Sequence, residues 1–317
     1  LEYTDASGLS LSVNRKSISA LANPKFQWLV GGKVISGATK SSFKASAKQR
    51  NQSIQLKVVA GSTTLTSVVG SIGQVIVNVK PDFVFHLAAQ PLVIKSYEEP
   101  LETFATNVMG TANLLQSIMM NKSSPWTVVV TTDKVYKNVE KLAGYTEDES
   151  LGGKDPYSAS KAATEMVVSA WQNLGALQNP LYKVVAVRAG NVIGGGDWAE
   201  NRLLPDLIRG FISEKPIPIR NPNSTRPWQH VLDPLLGYVM VLEAVLDGQY
   251  IEAMNFGPDD KSISVKEVVE ICASVWSPAG GIKFEYETNS AGIEAVNLDL
   301  DSSLARNKLG WNPKWNQ

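Results

Sequence analysis

Tyr157-Ser158-Ala159-Ser160-Lys161 sets a phenol and an ammonium four residues apart, just after Asp155-Pro156 and inside a helical pattern. Residues i and i+4 share one face of a helix. An ammonium beside a phenol favours the phenolate, so a group with an ordinary pKa of about 10 can serve as a base near neutral pH. That chemistry suits the oxidation of a sugar hydroxyl. Any helix with a surface tyrosine and lysine can show the same spacing, so the neighbouring motifs decide its meaning. The second set is Thr131-Thr132-Asp133-Lys134, directly after an apolar run. In doubly wound sheets ligands sit just beyond the carboxyl ends of strands. Thr132 can hydrogen-bond a substrate hydroxyl, Asp133 can donate or accept a proton, and Lys134 can polarise or deprotonate. The same residues also read as a polar turn before a helix, with Asp133 as its cap.

The elements that must position these groups fall into two dissimilar stretches. From about residue 75, buried strands at 82–87, 126–131, 183–188 and 253–256 alternate with amphipathic helices near 101–120 and 157–175. That alternation predicts a parallel sheet of the α/β class. Loops such as Gly194-Gly195-Gly196-Asp197 and Arg220-Asn221-Pro222-Asn223 break up the second half, which should carry a small substrate-covering region. Residues 1–73 instead have apolar residues in short alternating runs between turn residues, which predicts a small all-β sandwich. Phe26 to Val30, Gly31-Gly32 and Val34-Ile35 read as a hairpin, and Ser53 to Val58 alternate with period two. Leu65, Val68, Val69, Ile72, Val75, Ile76 and Val79 also follow helical spacing. Gly70, Gly73 and the β-branched residues oppose a stable helix there, and the boundary is placed between 70 and 76.

Composition narrows the partners. With 317 residues and 44% hydrophobic content there is enough for one large or two ordinary cores. Thirty basic residues balance thirty acidic ones, so no global field draws in nucleic acid or an anionic membrane. Cys272 is the single cysteine, and with only His86 and His230 no Cys/His zinc cluster is expected and no metal is assigned. Cys272 reads as a small buried apolar residue. No run of about 18 apolar residues predicts a membrane span. The chain opens on Leu1, which reads as a segment of something longer.

Five motifs occur in order: His86-Leu87-Ala88-Ala89-Gln90-Pro91; Thr132-Asp133-Lys134; Tyr157-x-x-x-Lys161; Arg188-Ala189-Gly190-Asn191-Val192-Ile193-Gly194-Gly195-Gly196-Asp197-Trp198; and Arg226-Pro227-Trp228-Gln229-His230-Val231. With Leu309-Gly310-Trp311-Asn312-Pro313 they resemble the extended short-chain dehydrogenase/reductase superfamily from about residue 75 onward, and within it the CDP-glucose 4,6-dehydratases. The resemblance implies a Rossmann-like sheet and an internal redox cycle on a nucleotide sugar, CDP-glucose, with bound NAD. Tyr157 would take the proton of the sugar 4-hydroxyl, Lys161 would hold the ribose, and Thr132 would share the hydrogen bonding. Asp133 would protonate the departing 6-hydroxyl and Lys134 would assist at C5. The related dTDP-glucose enzymes usually carry a glutamate where Lys134 stands, so Lys134 favours the CDP branch.

By the same resemblance Arg226 would meet the nucleotide diphosphate, Asn191 and Arg202 would contact the sugar nucleotide, and Leu87, Ala88, Ala89 and Gln90 would line the cofactor beside Tyr157 and Lys161. As bare sequence, Asn191 also reads as a loop residue satisfying backbone groups, Ala88-Ala89 as strand-end packing, and His86 and His230 as buried structural histidines. A cytoplasmic homodimer joined through the helices near 101–120 and 157–175 is implied as well. Residues 27–43 resemble bacterial Ig-like repeats, with Trp28 as core anchor, and these point instead to a secreted or surface setting.

One expected feature is missing from the sequence. An extended dehydrogenase opens with a strand, a glycine-rich turn and a helix whose N-terminus holds the pyrophosphate. Gly31, Gly32 and Gly37 lack that spacing, and so do Gly70 and Gly73. The sheet is therefore expected to be truncated, with the strand at 83–87 exposed as an edge and cofactor binding impaired. Two other functions stay open: a non-catalytic remnant serving as a binding or surface module, and an epimerase or reductase, which needs Tyr157 and Lys161 but no Asp133-Lys134 elimination machinery.

Overall fold

The computed structural model describes residues 2–3, 10–12, 23–30, 33–44, 54–60, 63–69, 75–76, 79–120, 125–141, 143–178, 183–259, 262–276, 283–287 and 297–315. The chain divides into two units, Leu1–Asp82 with Met109–Pro125, and Phe83–Val108 with Trp126–Gln317.

The strands of the first unit are β1 (Glu2–Tyr3), β2 (Ser10–Ser12), β3 (Lys25–Val30), β4 (Lys33–Val34), β5 (Ser42–Lys44), β6 (Ile54–Ala60) and β7 (Thr63–Val69). They form two antiparallel sheets, ordered β4-β3-β6-β7 and β1-β2-β5. The period-two pattern turns Trp28, Val30, Ile54, Leu56 and Val58 into one core. Trp28 is 0% exposed, donates its Nε1–H to the Lys40 carbonyl (2.9 Å), and stacks on Phe43 of the other sheet at 5.3 Å. The hairpin read from the sequence is present, with Val30 opposite Lys33. The stretch from Leu65 to Val79 splits between its two patterns. It is strand through Val69, and Val75, Ile76 and Val79 are helical.

The second unit opens with β8 (Phe83–His86), α1 (Val93–Glu98) and α2 (Pro100–Phe104), followed by a π-helical turn (Ala105–Met109) that leads into α3 (Gly110–Met119) of the first unit. It continues with β9 (Trp126–Val130), α4 (Pro156–Gln178), β10 (Val184–Ala189), β11 (Val192–Ile193), α5 (Leu203–Ser213), β12 (Ile217–Arg220), β13 (Thr225–Arg226) and β14 (Gln229–His230). The chain ends with α6 (Leu232–Leu246), β15 (Ala253–Phe256), β16 (Ile263–Ser264), α7 (Val265–Trp276), β17 (Phe284–Glu287) and α8 (Ser303–Leu309).

The four strands expected from the sequence form one parallel sheet in the order β15-β10-β9-β8. All six residues of β10 are buried, as expected for a largely apolar strand in the middle of a parallel sheet. Val128, Val185, Val187, Met254 and Phe256 of the sheet pack against Tyr238, Val241, Leu242 and Val245 of α6. Gly237 permits that approach, since a Cβ there would lie 2.2 Å from the Phe256 ring. Among the described residues β8 has no partner on its outer side, and Phe83 and Leu87 are about half exposed. The described sheet thus ends at the strand where the missing glycine-rich half would join it. Pairs β11–β14, β12–β17 and β13–β16 build the smaller region.

The single helix expected near 101–120 needs correction. It is three pieces, because the π-helical turn widens the backbone where buried Asn107 binds other segments. The other predicted helix is one unbroken α4.

Because Trp28 is fully enclosed, Trp28→Ala should cost the first unit about 3–5 kcal/mol. Thermal or urea unfolding followed by circular dichroism would measure the loss.

Candidate active site

Strand β9 delivers its last residues to a short turn that fixes three polar side chains. The Thr131 N–H still donates to the Val187 carbonyl (2.8 Å), which extends the ladder one residue past the strand. Thr132 then caps a 3₁₀ turn at Asp133–Val135, its hydroxyl oxygen accepting the Lys134 N–H at 3.3 Å. The capping role is thus Thr132's and not Asp133's. The Thr132 hydroxyl donates to Asp133 Oδ1 (2.8 Å), and Asp133 Oδ2 is buried with no hydrogen-bond partner.

Helix α4 supplies the facing groups. Pro156 is its first residue, where a missing N–H costs nothing. The Asp155 carboxylate accepts from the Ser158 N–H (2.9 Å) and the Ser158 hydroxyl (2.6 Å). The Tyr157 N–H donates to Ser96 Oγ (3.1 Å), which ties the helix start to α1. Gly153 lets the preceding loop lie on this first turn, since a Cβ there would fall 2.2 Å from the Ala159 nitrogen. Further along, Asn107 Nδ2 donates to Ser160 Oγ (2.9 Å) and the Thr164 hydroxyl donates to the Asn107 carbonyl (3.0 Å).

Tyr157, Lys161 and Glu165 are spaced by four and share one face of α4. Glu165 holds Arg188 of β10 in a two-pronged, buried ion pair, with Nε to Oε1 at 2.8 Å and Nη2 to Oε2 at 2.9 Å. The Thr131 hydroxyl donates to the same carboxylate, and Arg188 Nη1 donates to the Tyr136 hydroxyl (2.7 Å) and the Glu147 carbonyl (3.1 Å). Tyr136 in turn donates to Asn255 Oδ1 of β15 (2.7 Å). One network therefore fixes the carboxyl ends of β9, β10 and β15 to the helix.

The ends of β9 and β10 open on a cavity of about 890 Å³. Thr132, Asp133, Lys134, Tyr157, Asn191, Arg202 and Arg226, all named from the sequence, line it. Arg202 is paired with Asp197 at 2.8 Å, and Arg226 is buried with Nη1 donating to the Thr225 carbonyl (2.8 Å). Lys161 is buried behind the lining and donates to the Val130 carbonyl (3.1 Å). Leu87 and Ala88 are exposed and Ala89 half-buried at the end of β8. The Gln90 side chain turns inward: Nε2 donates to Leu92 O (3.1 Å) and Thr103 Oγ1 (2.9 Å), and Oε1 accepts the Leu92 N–H (2.6 Å). It braces the loop and does not face out of it.

The electrostatics correct one expectation. Burial pushes the Tyr157 phenol up to about 12, against the pull of the Thr132 hydrogen bond and the Arg202 charge. Lys161 is itself brought down to about 8 by burial, with Glu165 opposing, and its ammonium is spent on the Val130 carbonyl. Arg202 is a cation whose charge pulls the Tyr157 phenol down. Burial raises Asp133 as well, opposed by Lys134, Thr132 and Arg226. His86 is lowered to about 4 by burial, then by Lys161, and so is neutral at pH 7. His230 accepts the Leu232 N–H at Nδ1 (3.3 Å) and lies 4.6 Å from the Trp315 ring.

Sequence reasoning missed Glu165, Asn107 and the partner role of Arg188. Two signals were available: Glu165 continues the Tyr157-Lys161 spacing by one more turn, and Arg188 is a charge inside an apolar strand.

The family model for GDP-mannose 4,6 dehydratase matches residues 38–317. The chain belongs to this family. The match begins 37 residues before the five-motif resemblance at 75, inside the antiparallel β-rich unit. Among similar members, the CDP-glucose 4,6-dehydratase of Salmonella typhimurium is 45% identical over 249 residues, 76% of this chain and 68% of that protein. The dTDP-glucose 4,6-dehydratase of Neisseria gonorrhoeae is 28% identical, over 76% of this chain and 72% of its own length. In fold, the family's sheet matches a UDP-glucuronic acid 4-epimerase from Bacillus cereus solved with UDP-glucuronic acid and NAD (TM-score 0.67, 22% identity, 77% of this chain and 73% of that one). It likewise matches a dTDP-glucose 4,6-dehydratase from Streptomyces venezuelae solved with NAD (TM-score 0.66, 23% identity, 78% and 74%).

Two variants test this electrostatic picture. Asp133 is raised in the folded state, so the stability it contributes is fully present below its unfolded pKa of about 4 and is lost as pH rises from there through its higher folded value. Asp133→Asn should therefore melt higher than the parent near pH 8 and like it near pH 3, as read by calorimetry at both values. Glu165→Gln leaves the buried Arg188 charge uncompensated and should cost about 3–5 kcal/mol in denaturant unfolding.

Proposed function

We propose that the chain is built for nucleotide-sugar 4,6-dehydratase chemistry, converting CDP-glucose to CDP-4-keto-6-deoxyglucose. The observation that carries this reading is Asp133. It is a buried carboxyl raised toward its protonated form, with one oxygen held by Thr132 and the other buried without a hydrogen-bond partner, and the residue lines the same cavity as Tyr157. A carboxylic acid kept neutral by burial is what protonation of a departing hydroxyl requires. An epimerase or a reductase has no such leaving group.

NAD, when bound, supplies the transient oxidation at C4 that makes C5 acidic. The residues present fit one end of it. Exposed Ala88 and half-buried Ala89 leave close approach open beside Tyr157 and Lys161. The other end is not matched, since no glycine-rich turn follows a strand in the sequence and the described sheet stops at β8.

In this reading Tyr157 accepts the proton of the sugar 4-hydroxyl while Thr132 shares its hydrogen bond. Asp133 gives its proton to the 6-hydroxyl as that group leaves, and Lys134 assists proton removal at C5. Arg226 and Arg202 receive the diphosphate, for which guanidinium is suited by its planar fork. Asn191, on the loop after β10, positions the sugar. Arg202 must exchange Asp197 for the substrate, and that exchange is open because the pair is over a third exposed.

The reading includes a division at residues 73 and 74 into an Ig-like sandwich and a dehydratase domain, a homodimer, and a cytoplasmic setting. No helix among the described residues is long and apolar enough to cross a membrane. A described sheet that ends at β8 favours a second reading, in which the chain binds a nucleotide sugar without turnover as a remnant.

Calorimetric titration of NAD into the purified chain, with and without CDP-glucose, separates the two readings when followed by assay of the 4-keto-6-deoxy sugar. The dehydratase reading expects product, rising with pH through the alkaline range as the Tyr157 phenolate becomes populated. It also expects a loss of about 10² or more in rate in both Tyr157→Phe and Asp133→Asn. Nucleotide-sugar binding with no NAD binding and no product would leave the remnant reading.

A further inference from the structure

The cavity does not end at the reacting groups. It runs from the carboxyl ends of β9 and β10, past Arg202 and Arg226, to the two-stranded pair β12–β17. Leu204 and Ile208 of α5, Val265, Pro218, Arg220 and Glu287 are among its lining residues. Pairing of β12 with β17 is parallel and sets Pro218 beside Glu285 and Arg220 beside Glu287. Side chains alternate along a strand, so Pro218, Arg220 and Glu287 lie on one face of this pair, while Ile217 and Ile219 are buried on the other.

We infer that Glu287, with Arg220 beside it, selects the nucleobase, favouring cytosine over uracil and thymine. This rests on the nucleotide-sugar reading given above. With the sugar at Tyr157 and the diphosphate at the arginines, the base falls in the part of the cavity with apolar walls, where a flat ring can lie between Pro218 and the aliphatic side chains of α5. At that place a carboxylate and a guanidinium stand in adjacent positions. Arg220 spends one of its five N–H donors on the Asn201 carbonyl (3.2 Å), which anchors the side chain at the site.

Cytosine offers an amino donor at N4 next to acceptors at N3 and O2. An acceptor at Glu287 and two donors at Arg220 meet all three, and a carboxylate accepting from cytosine N4 is a standard pairing. Uracil and thymine place an acceptor, O4, where cytosine has its amino group. Seated the same way, they set O4 against the carboxylate, and their N3–H faces a cation. Shifting the ring recovers two of the three contacts but leaves O4 unmatched. A site with polar groups placed for one edge rejects the other because its own groups are left unpaired.

The test is calorimetric titration of the full chain with CDP, UDP and dTDP, none of which requires NAD or turnover. The parent should bind CDP about tenfold or more tightly than UDP or dTDP. Glu287→Gln, whose amide can donate as well as accept, should weaken CDP, strengthen UDP and dTDP, and bring the ratio close to one. Glu287 is exposed at a strand end, so the variant should melt with the parent, and Glu287→Ala offers a second check in which CDP weakens without any gain for UDP. A parent that prefers CDP and a Glu287→Gln variant that keeps the full preference would overturn the assignment while leaving the dehydratase reading intact. A parent that binds the three alike, prefers dTDP, or binds none would overturn the CDP reading and this inference together.

Discussion

The buried pair of Glu165 and Arg188 is the interaction on which the rest of the site depends. It joins the catalytic helix to β10, and through Thr131, Tyr136 and Asn255 it also fixes β9 and β15. Taking both charges out of water is costly, and that cost is offset only because each remaining polar atom of the pair finds a partner. The benefit is geometric. Parallel strands end in unpaired backbone groups, and a rigid polar network there holds Thr132, Asp133 and Tyr157 at one cavity in fixed relation.

Burial then sets the protonation of those groups more strongly than charge pairing does. Tyr157, Asp133, Lys161 and His86 are each shifted toward the neutral form, and in each the largest cause is loss of water. The result is a site whose carboxyl and phenol are both shifted toward their protonated forms, with Arg202 pulling the phenol the other way. A reaction that must accept a proton at one step and donate one at another is served by such a pair.

The end of the described sheet at β8 has a different character. A parallel sheet is normally covered on both faces and extended on both sides of its switch point. Here the order β15-β10-β9-β8 stops at Phe83 to His86, and the chain before it is antiparallel and built on Trp28. The groups that would act on the sugar are intact while the usual pyrophosphate cradle is not matched. Cofactor affinity, more than the reacting groups, is where the chemistry of this chain is most exposed to loss.

Much of this was legible in the sequence. The family resemblance added Asn191, Arg202 and Arg226, whereas apolar runs at 82–87, 126–131, 183–188 and 253–256 determined the four parallel strands, alternation determined the antiparallel sheets, and local motifs named Thr132, Asp133, Lys134 and Tyr157. These are properties of neighbours along the chain, where spacing of two or four residues fixes a face. What the tertiary structure alone decided concerns groups far apart in sequence. Lys161 turned to the Val130 carbonyl and not to Tyr157, Gln90 turned inward to Thr103, Asn107 split the expected helix with a π-helical turn, and Arg188 paired with Glu165. The physical reason is that a side chain's charge state and hydrogen-bond partner depend on how much water packing removes and on which distant atoms it brings within about 3 Å, and neither is encoded in local spacing.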